Sequence, residues 1–326
     1  MKKLSLVFFI FLLVFISLVG SATAKTVTYP PSLVHKDGLM AAEHMKYLAY
    51  EIGPRVAATS NERLAEEYIQ SQFERIGFDT EIQDFSYVRR GVTYQSSNVI
   101  AYKPGKSSKQ VIVGAHYDSV SAGLGVDDNA SGVGVMLEVA EVLKNIKTPY
   151  SIVFIAFGAE EVGLQGSNYY ASNMTDEEID NTVGMINLDS LAVGDKMYVY
   201  GGPGEDGFIR EQALNIVKKK KLNVETSPGL NPDFPAGTTG DWSDHAPFKN
   251  IGIPIGYLEA TNWEIGDLDG YTQTEKHGGV WHTKNDTLEF IEREFPGRIH
   301  EHLSTFSILL TDLLKFMDKT STSKSK

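Results

Sequence analysis

The chain contains no cysteine among its 326 residues. That excludes disulfides and thiolate zinc sites, so any metal centre must be built from nitrogen and oxygen ligands. It also leaves an export signal no cysteine to carry a lipid anchor. Basic residues are scarce as well: 30 Lys and Arg against 42 Asp and Glu give a formal charge of −12. Such an excess of negative charge argues against nucleic acid and anionic membrane surfaces as partners. Only one long apolar run occurs, over residues 4–19. It is short for a stable span, and no second stretch approaches membrane length.

What stands at the start has the form of a secretory signal peptide. Lys2 and Lys3 precede the apolar run, and Ser21-Ala-Thr-Ala24 puts small residues at −3 and −1 of a cut before Lys25. The expectation is a signal peptide over residues 1–24 and a secreted or extracytoplasmic protein with no stable membrane insertion after cleavage. An uncleaved N-terminal anchor is the alternative that the small residues argue against. Cleavage would leave 302 residues with a formal charge of −14. A chain of that length can bury a large core without disulfides. The polar, Ser/Thr/Lys-rich residues 318–326 read as a flexible tail.

Between these ends the pattern alternates. Helices are expected over 39–52 and 61–76, the second with Thr59 as N-cap and Glu62 closing a capping box. Strands follow at 79–88 and 97–102. Continuous apolar runs then recur at 110–115, 151–157, 183–188 and 251–258, the mark of strands buried on both faces. Between the first two of these, Val133, Met136, Leu137, Ala140 and Leu143 keep helical spacing over 130–143. A last helix over 287–316 should bend or break near Pro296. Strands alternating with helices predict a single three-layer α/β/α domain over 25–317, with a predominantly parallel mixed central sheet. Long Gly- and Pro-rich loops at 226–240 and 260–279 are expected to rim a pocket. The lysines 218–221 read as a solvated helix end.

The charged residues at strand ends carry the chemistry. Glu160 and Glu161 follow the apolar run 151–157 directly, where open α/β sheets place their ligands. Two carboxylates there repel each other near a core, and a cation would remove that cost. Neighbouring strands end alike: His116-Tyr-Asp118 closes 110–115, and Asp189 closes 183–188. Asp128 stands before the helix that follows, and His282 before the last helix. Alternation places His116 and Asp118 on one side, so Asp118 is expected to brace the imidazole. Each piece alone is ordinary: a helix-start acid, a loop histidine, a strand-end carboxylate. Their joint arrival from five loops suits two divalent ions, zinc above all, sharing a bridging carboxylate.

These residues resemble a known family. His116-x-Asp118, Gly125-Val-Asp-Asp128-Asn-Ala-Ser-Gly132, Gly158-Ala-Glu160-Glu161-Val-Gly-Leu-Gln-Gly166-Ser, Asn187-Leu-Asp189 and His282-Thr-x-x-Asp286-Thr are similar to the two-zinc aminopeptidases, of the aminopeptidase Y and bacterial leucyl aminopeptidase type. The likeness runs from about Asp37 to the last helix. Trp242-Ser-Asp-His-Ala-Pro-Phe248 resembles the subgroup named for alkaline phosphatase isozyme conversion. The resemblance implies a zinc-exopeptidase fold and removal of the N-terminal residue from peptides or proteins with a free N-terminus. It implies two Zn2+ per chain: His116 and Asp189 on one, Glu161 and His282 on the other, Asp128 bridging. Glu160 would be the general base, with Asp118 as a second catalytic residue. It also implies a cis peptide at Asp128–Asn129, and a second layer or pocket lining for His245. Some family members place a tyrosine before the last histidine to steady the intermediate; here Trp281 stands there, and Tyr257 is the alternative donor.

Three other readings compete. Glutaminyl cyclases resemble this fold but use one zinc, against which the complete five-residue set argues. A carboxypeptidase would need an inserted domain between the fourth and fifth ligands, where the run 251–258 leaves little room. A binding domain on an inactive scaffold would not need an intact ligand set plus Glu160. The subgroup likeness also hints at basic N-terminal residues as substrates, for which Asp244, Glu259, Glu264, Asp267 and Asp269 are the candidate partners.

Overall fold

The computed structural model describes residues 37–318. The expected signal segment, and the expected tail beyond Asp318, lie outside the described residues. Seven strands form one sheet: β1 (Asp79–Arg89), β2 (Val92–Lys103), β3 (Ser107–His116), β4 (Tyr150–Phe157), β5 (Thr182–Leu188), β6 (Lys196–Gly201) and β7 (Ile255–Thr261), in the order β1-β2-β4-β3-β5-β7-β6. The inner strands β4, β3, β5 and β7 run parallel. The hairpin β1–β2 joins β4 antiparallel, and β6 joins β7 antiparallel. All seven residues of β5 and all seven of β7 are buried, which is why both read as largely apolar runs, with Asn187 and Glu259 as polar exceptions toward their carboxyl ends.

Alternation along the strands divides two cores. Val111, Val113 and Ala115 of β3 face the larger one, built with helices α1 (Leu39–Lys46), α2 (Ser60–Ile76), α3 (Gly132–Leu143) and the closing helix Arg298–Phe316. Ile112, with Val153, Ile155 and Phe157, faces a smaller core roofed by Ala171 and Phe248. Each fully buried side chain of this size contributes roughly 1.5–3 kcal/mol. Gly114 lets the second core close, since a Cβ there would lie 2.4 Å from the Phe157 ring.

The connections decide where the site lies. The chain leaves β3 through α3 to β4 on one side, then returns through Gln165–Asn173 and Asp176–Asn181 to β5 on the other. Connections that diverge like this open a crevice above the carboxyl end of the strand between them. That strand is β3, and it ends in His116.

Several local expectations shift. The first helix is α-helical only to Lys46 and continues as a π-helical turn, Tyr47–Ile52. Thr59 has extended N-cap dihedrals, but its side chain makes no cap bond, and Glu62 is drawn into other partners. A π-helical segment, Val126–Ser131, precedes α3. The strand expected from 251 begins only at Ile255, because a short helix, His245–Asn250, and Pro254 occupy the approach. The last helix breaks at Pro296, as expected, into Leu288–Glu294 and Arg298–Phe316. Lys218, Lys219 and Lys220 end the helix Phe208–Lys220.

Candidate metal and catalytic site

After β4 ends, the chain turns sharply. Ala159 takes a left-handed conformation at φ 54, and Glu160–Val162 form one turn of 3-10 helix. The backbone there passes so close to β2 that a Cβ on Gly158 would lie 2.4 Å from the Ser97 carbonyl, so only glycine fits. Successive amides of this turn point toward side-chain acceptors. Asp118 takes two of them, its Oδ1 accepting from Glu160 N at 2.9 Å and its Oδ2 from Glu161 N at 3.1 Å. Asp118 therefore has a second task beside the expected one at His116. Its carboxylate lies 3.7 Å from His116 Nδ1, beyond hydrogen-bond length, while the Asp118 backbone carbonyl sits 3.2 Å from that nitrogen. The carboxylate hydrogen-bonds the glutamate turn, and the carbonyl is the nearer of the two groups to the imidazole.

Five side chains converge in front of that turn. Nε2 of His116 lies 3.1 Å from Asp128 Oδ1 and 3.4 Å from Asp189 Oδ1. Nε2 of His282 lies 2.7 Å from Glu161 Oε2 and 3.2 Å from Asp128 Oδ2. Asp128 thus offers one oxygen to each imidazole. A second carboxylate clamp supports it: Asp286 accepts Asp127 N at 2.7 Å and Asp128 N at 3.2 Å. The Asp128–Asn129 peptide is cis. Asp189 is set by Ser243, whose hydroxyl donates to its Oδ2 at 2.7 Å and accepts from Asn187 Nδ2 at 2.8 Å.

The electrostatics describe a cluster short of positive charge. Burial pushes the Glu160 carboxyl well above the carboxylate range. Glu161 rises to about 7, through burial and then the charge of Asp128. Hydrogen bonds to Asp128 and Glu161 raise His282 to about 10. Asp128 is held below the usual carboxylate range: burial works against this, but the two imidazoles outweigh it. A buried guanidinium nearby, on Arg55, donates to the carbonyls of Tyr117 at 2.7 Å, Gly125 at 2.8 Å and Leu124 at 3.0 Å. It sits within the field of Asp286, Asp118, Asp128 and Glu161. Protons shared between acids and imidazoles occupy places a multivalent cation would take.

The donors fit such an ion. His116, Asp128 and Glu161 offer atoms within 4.8 Å of one another, as do His116, Glu160 and Asp189. Glu161 Oε1 is buried with no hydrogen-bond partner, as a carboxylate oxygen meant for a cation should be. Imidazole and carboxylate donors without sulfur suit zinc at an open, reactive centre.

The cluster forms the floor of a cavity of about 460 Å3. Its walls are aromatic: Trp242, Tyr257, Tyr271 and Trp281. The loop 260–279 rims it through Gly270, Tyr271 and Gln273. The loop 226–240 contributes no lining residue; its Phe234 instead backs Trp242 with ring centres 5.6 Å apart. Of the five acids considered for substrate recognition, only Glu259 lines the cavity, and it accepts from Tyr200 at 2.7 Å and Tyr257 at 3.2 Å. Trp281 stands edge-on to His282 at 4.7 Å. His245 lies behind the wall, stacked on Tyr257 at 4.8 Å with Nε2 2.9 Å from the Gly240 carbonyl. Burial lowers it to about 4, so it is neutral. Arg55 and the hydrogen bond from the Ala159 amide to Glu62 escaped sequence reasoning. Nothing local marks either, because their partners lie far along the chain.

Comparison with known proteins identifies the family and the fold. The model of peptidase family M28 matches residues 98–307. The chain is 36% identical over 321 residues to the alkaline phosphatase isozyme conversion protein of Escherichia coli K12, covering 88% of this chain and 92% of that one. It is 34% identical over 206 residues to aminopeptidase YwaD of Bacillus subtilis, covering 61% of this chain but 41% of that longer protein. A solved zinc aminopeptidase from Bacillus subtilis superposes with a TM-score of 0.70 at 20% identity, over 90% of this chain and 97% of its own. The chain belongs to peptidase family M28 and is a metallo-aminopeptidase, a hydrolase.

Proposed function

We propose that the protein is an exported aminopeptidase that removes the N-terminal residue of peptides or proteins with the help of two zinc ions and Glu160 as general base. The observation that carries this reading is the Asp128 carboxylate, which presents one oxygen toward His116 and the other toward His282. His116 and Asp189 would hold one ion, Glu161 and His282 the other, and Asp128 would join them. When bound, zinc supplies Lewis acidity that polarises a peptide carbonyl and acidifies water.

The chain's own residues do the rest. Glu160 lines the cavity beside the ligands; it takes a proton from the attacking water and returns it to the leaving amine. Asp118 keeps the Glu160–Glu161 turn at fixed distance through two backbone hydrogen bonds. The aromatic walls exclude water around the first side chain of the substrate. The acids of the floor attract its free α-ammonium, which confines cleavage to the chain end. Tyr257 is the proposed donor to the developing oxyanion, its hydroxyl turning from Glu259 Oε1, 3.2 Å away, to the substrate. Of the lining acids outside the metal cluster, Asp241 and Glu259 are the ones placed to favour basic N-terminal residues. Export rests on the N-terminal 24 residues, and among the described residues no helix is long and apolar enough to cross a membrane.

A panel of aminoacyl p-nitroanilides, with and without chelator, tests the reading. Free-amine substrates, arginine and lysine foremost, should be cleaved and N-blocked ones spared, with activity lost to chelation and restored by zinc. Cyclisation of N-terminal glutamine without anilide hydrolysis would instead indicate acyl transfer.

A further inference from the structure

Glu62 lies on the first turn of α2, in sequence 98 residues before Glu160, and a capping role would account for it fully if that were all it did. Its carboxylate Oε2 accepts the amide of Ala58, the residue before the N-cap Thr59, rather than the N-cap amide itself. The other oxygen points elsewhere. Oε1 accepts the Ala159 amide at 3.0 Å and the Ser96 hydroxyl at 2.8 Å. Together with Asn98, whose Oδ1 accepts Gly158 N at 3.3 Å, and with Asp118, this completes a series. Four consecutive amides, from Gly158 to Glu161, are each taken by a side-chain acceptor from outside the turn. A left-handed residue followed by right-handed ones aims its amides at one side, which is how backbone nests bind anions. Here protein carboxylates fill that place.

We infer that Glu62 is a positioning residue for catalysis: through the Ala159 amide it fixes the height and direction of the turn that presents Glu160. This rests on the reading of Glu160 as the base. Ala159 is the residue whose left-handed dihedrals redirect the chain, so its amide is the lever arm for the glutamate that follows. Glu62 is 3% exposed and backs a separate cavity of about 290 Å3, also lined by Asp84 and Ser96. It touches neither the metal ligands nor the substrate cavity, so its loss should not empty the site. It should let the base drift, and a displacement of about 1 Å in such a group costs on the order of a hundredfold in rate.

The test is a variant series on the full, zinc-loaded chain. Glu62→Ala should lower kcat by about 10- to 100-fold, leave KM within about twofold, and retain the zinc content of the parent. Glu62→Gln, which keeps an acceptor oxygen for Ala159, should recover part of that loss. Asp84→Ala, in the same cavity but clear of the turn, should match the parent. In spectra of chain labelled with 15N-alanine, the Ala159 amide proton should move upfield in Glu62→Ala with or without zinc. If Glu62→Ala does not fold, Glu62→Gln carries the test, with a smaller shift in the same direction and a smaller fall in kcat. An unchanged kcat in a folded variant, a loss equalled by Asp84→Ala, or loss of zinc in step with activity would overturn the inference. A Glu160→Gln enzyme that stays active would instead sink the base assignment while leaving the amide shift to report on the turn.

Discussion

Replacing Asp118 by asparagine separates two accounts of how the site is held. The carboxylate accepts Glu160 N at 2.9 Å and Glu161 N at 3.1 Å, and lies 3.7 Å from His116 Nδ1. Asparagine keeps the shape but turns one acceptor into an amino group facing a backbone N–H. One hydrogen bond to a charged group is lost, worth about 1.5–3 kcal/mol, and a buried N–H is left without a partner at about 1–3 kcal/mol. Some of that will relax, so about 2–4 kcal/mol of stability should go. At roughly 2 °C per kcal/mol for a chain of this size, Tm should fall by about 4–8 °C. The turn carrying the base loosens with it, and kcat should drop at least about tenfold. Zinc affinity should stay near that of the parent, because His116 Nδ1 faces the Asp118 carbonyl, which the substitution leaves in place. Steady-state kinetics, thermal melting and zinc titration on one preparation decide the matter. If the carboxylate's main task were to orient His116, zinc affinity would fall about 10- to 100-fold while kcat per bound zinc held. That result would refute the reasoning.

Three further outcomes follow from the same structure. Arg55→Met removes a buried guanidinium that ties together the carbonyls of Tyr117, Leu124 and Gly125; it should cost at least about 3 kcal/mol, seen as a Tm lower by roughly 6 °C, and a change within 1 °C would contradict it. His44 is buried, with Nδ1 2.7 Å from the Tyr68 hydroxyl, and burial followed by the charge of Arg75 lowers it to about 3 from 6.5. The folded state therefore binds fewer protons than the unfolded one between those values, and stability is lost as pH falls below about 6.5. In His44→Gln that loss is absent, so the variant's unfolding free energy should gain about 2 kcal/mol on the parent between pH 8 and pH 5; a constant gap in denaturant titrations would rule this out. Chelation should lower Tm reversibly, by an amount corresponding to about 4 kcal/mol when zinc had been at a thousandfold over its Kd; a Tm indifferent to chelator and zinc would argue against a metal centre in this cluster.

Most of the fold was legible because burial on both faces leaves a plain trace. Strands such as β5 are mostly apolar inside the layer, so 183–188 reads as one buried run with Asn187 its polar exception. β6 left no such trace: Lys-Met-Tyr-Val-Tyr-Gly is short and aromatic, and its tyrosines are buried by Trp263 and Tyr257 from distant segments. The proposed ligand set was legible because carboxylates at the ends of buried strands conflict with their surroundings unless something compensates. What supports those ligands was not. Glu62 follows Thr59 at capping-box spacing, and the local pattern suggested the wrong partner. Tertiary contact with Ala159 outcompeted it. Asp118 was placed on the correct side, but alternation along a strand could not say that its oxygens would reach the next loop rather than the neighbouring imidazole.

The claim on which everything turns is that Glu160 moves the proton while Glu161 beside it binds metal. The direct measurement is turnover of Glu160→Gln on a free-amine p-nitroanilide, with zinc counted in the same sample. The expected result is two zinc ions per chain and kcat reduced by about a hundred- to ten-thousandfold. Turnover near that of the parent, with zinc in place, would contradict it.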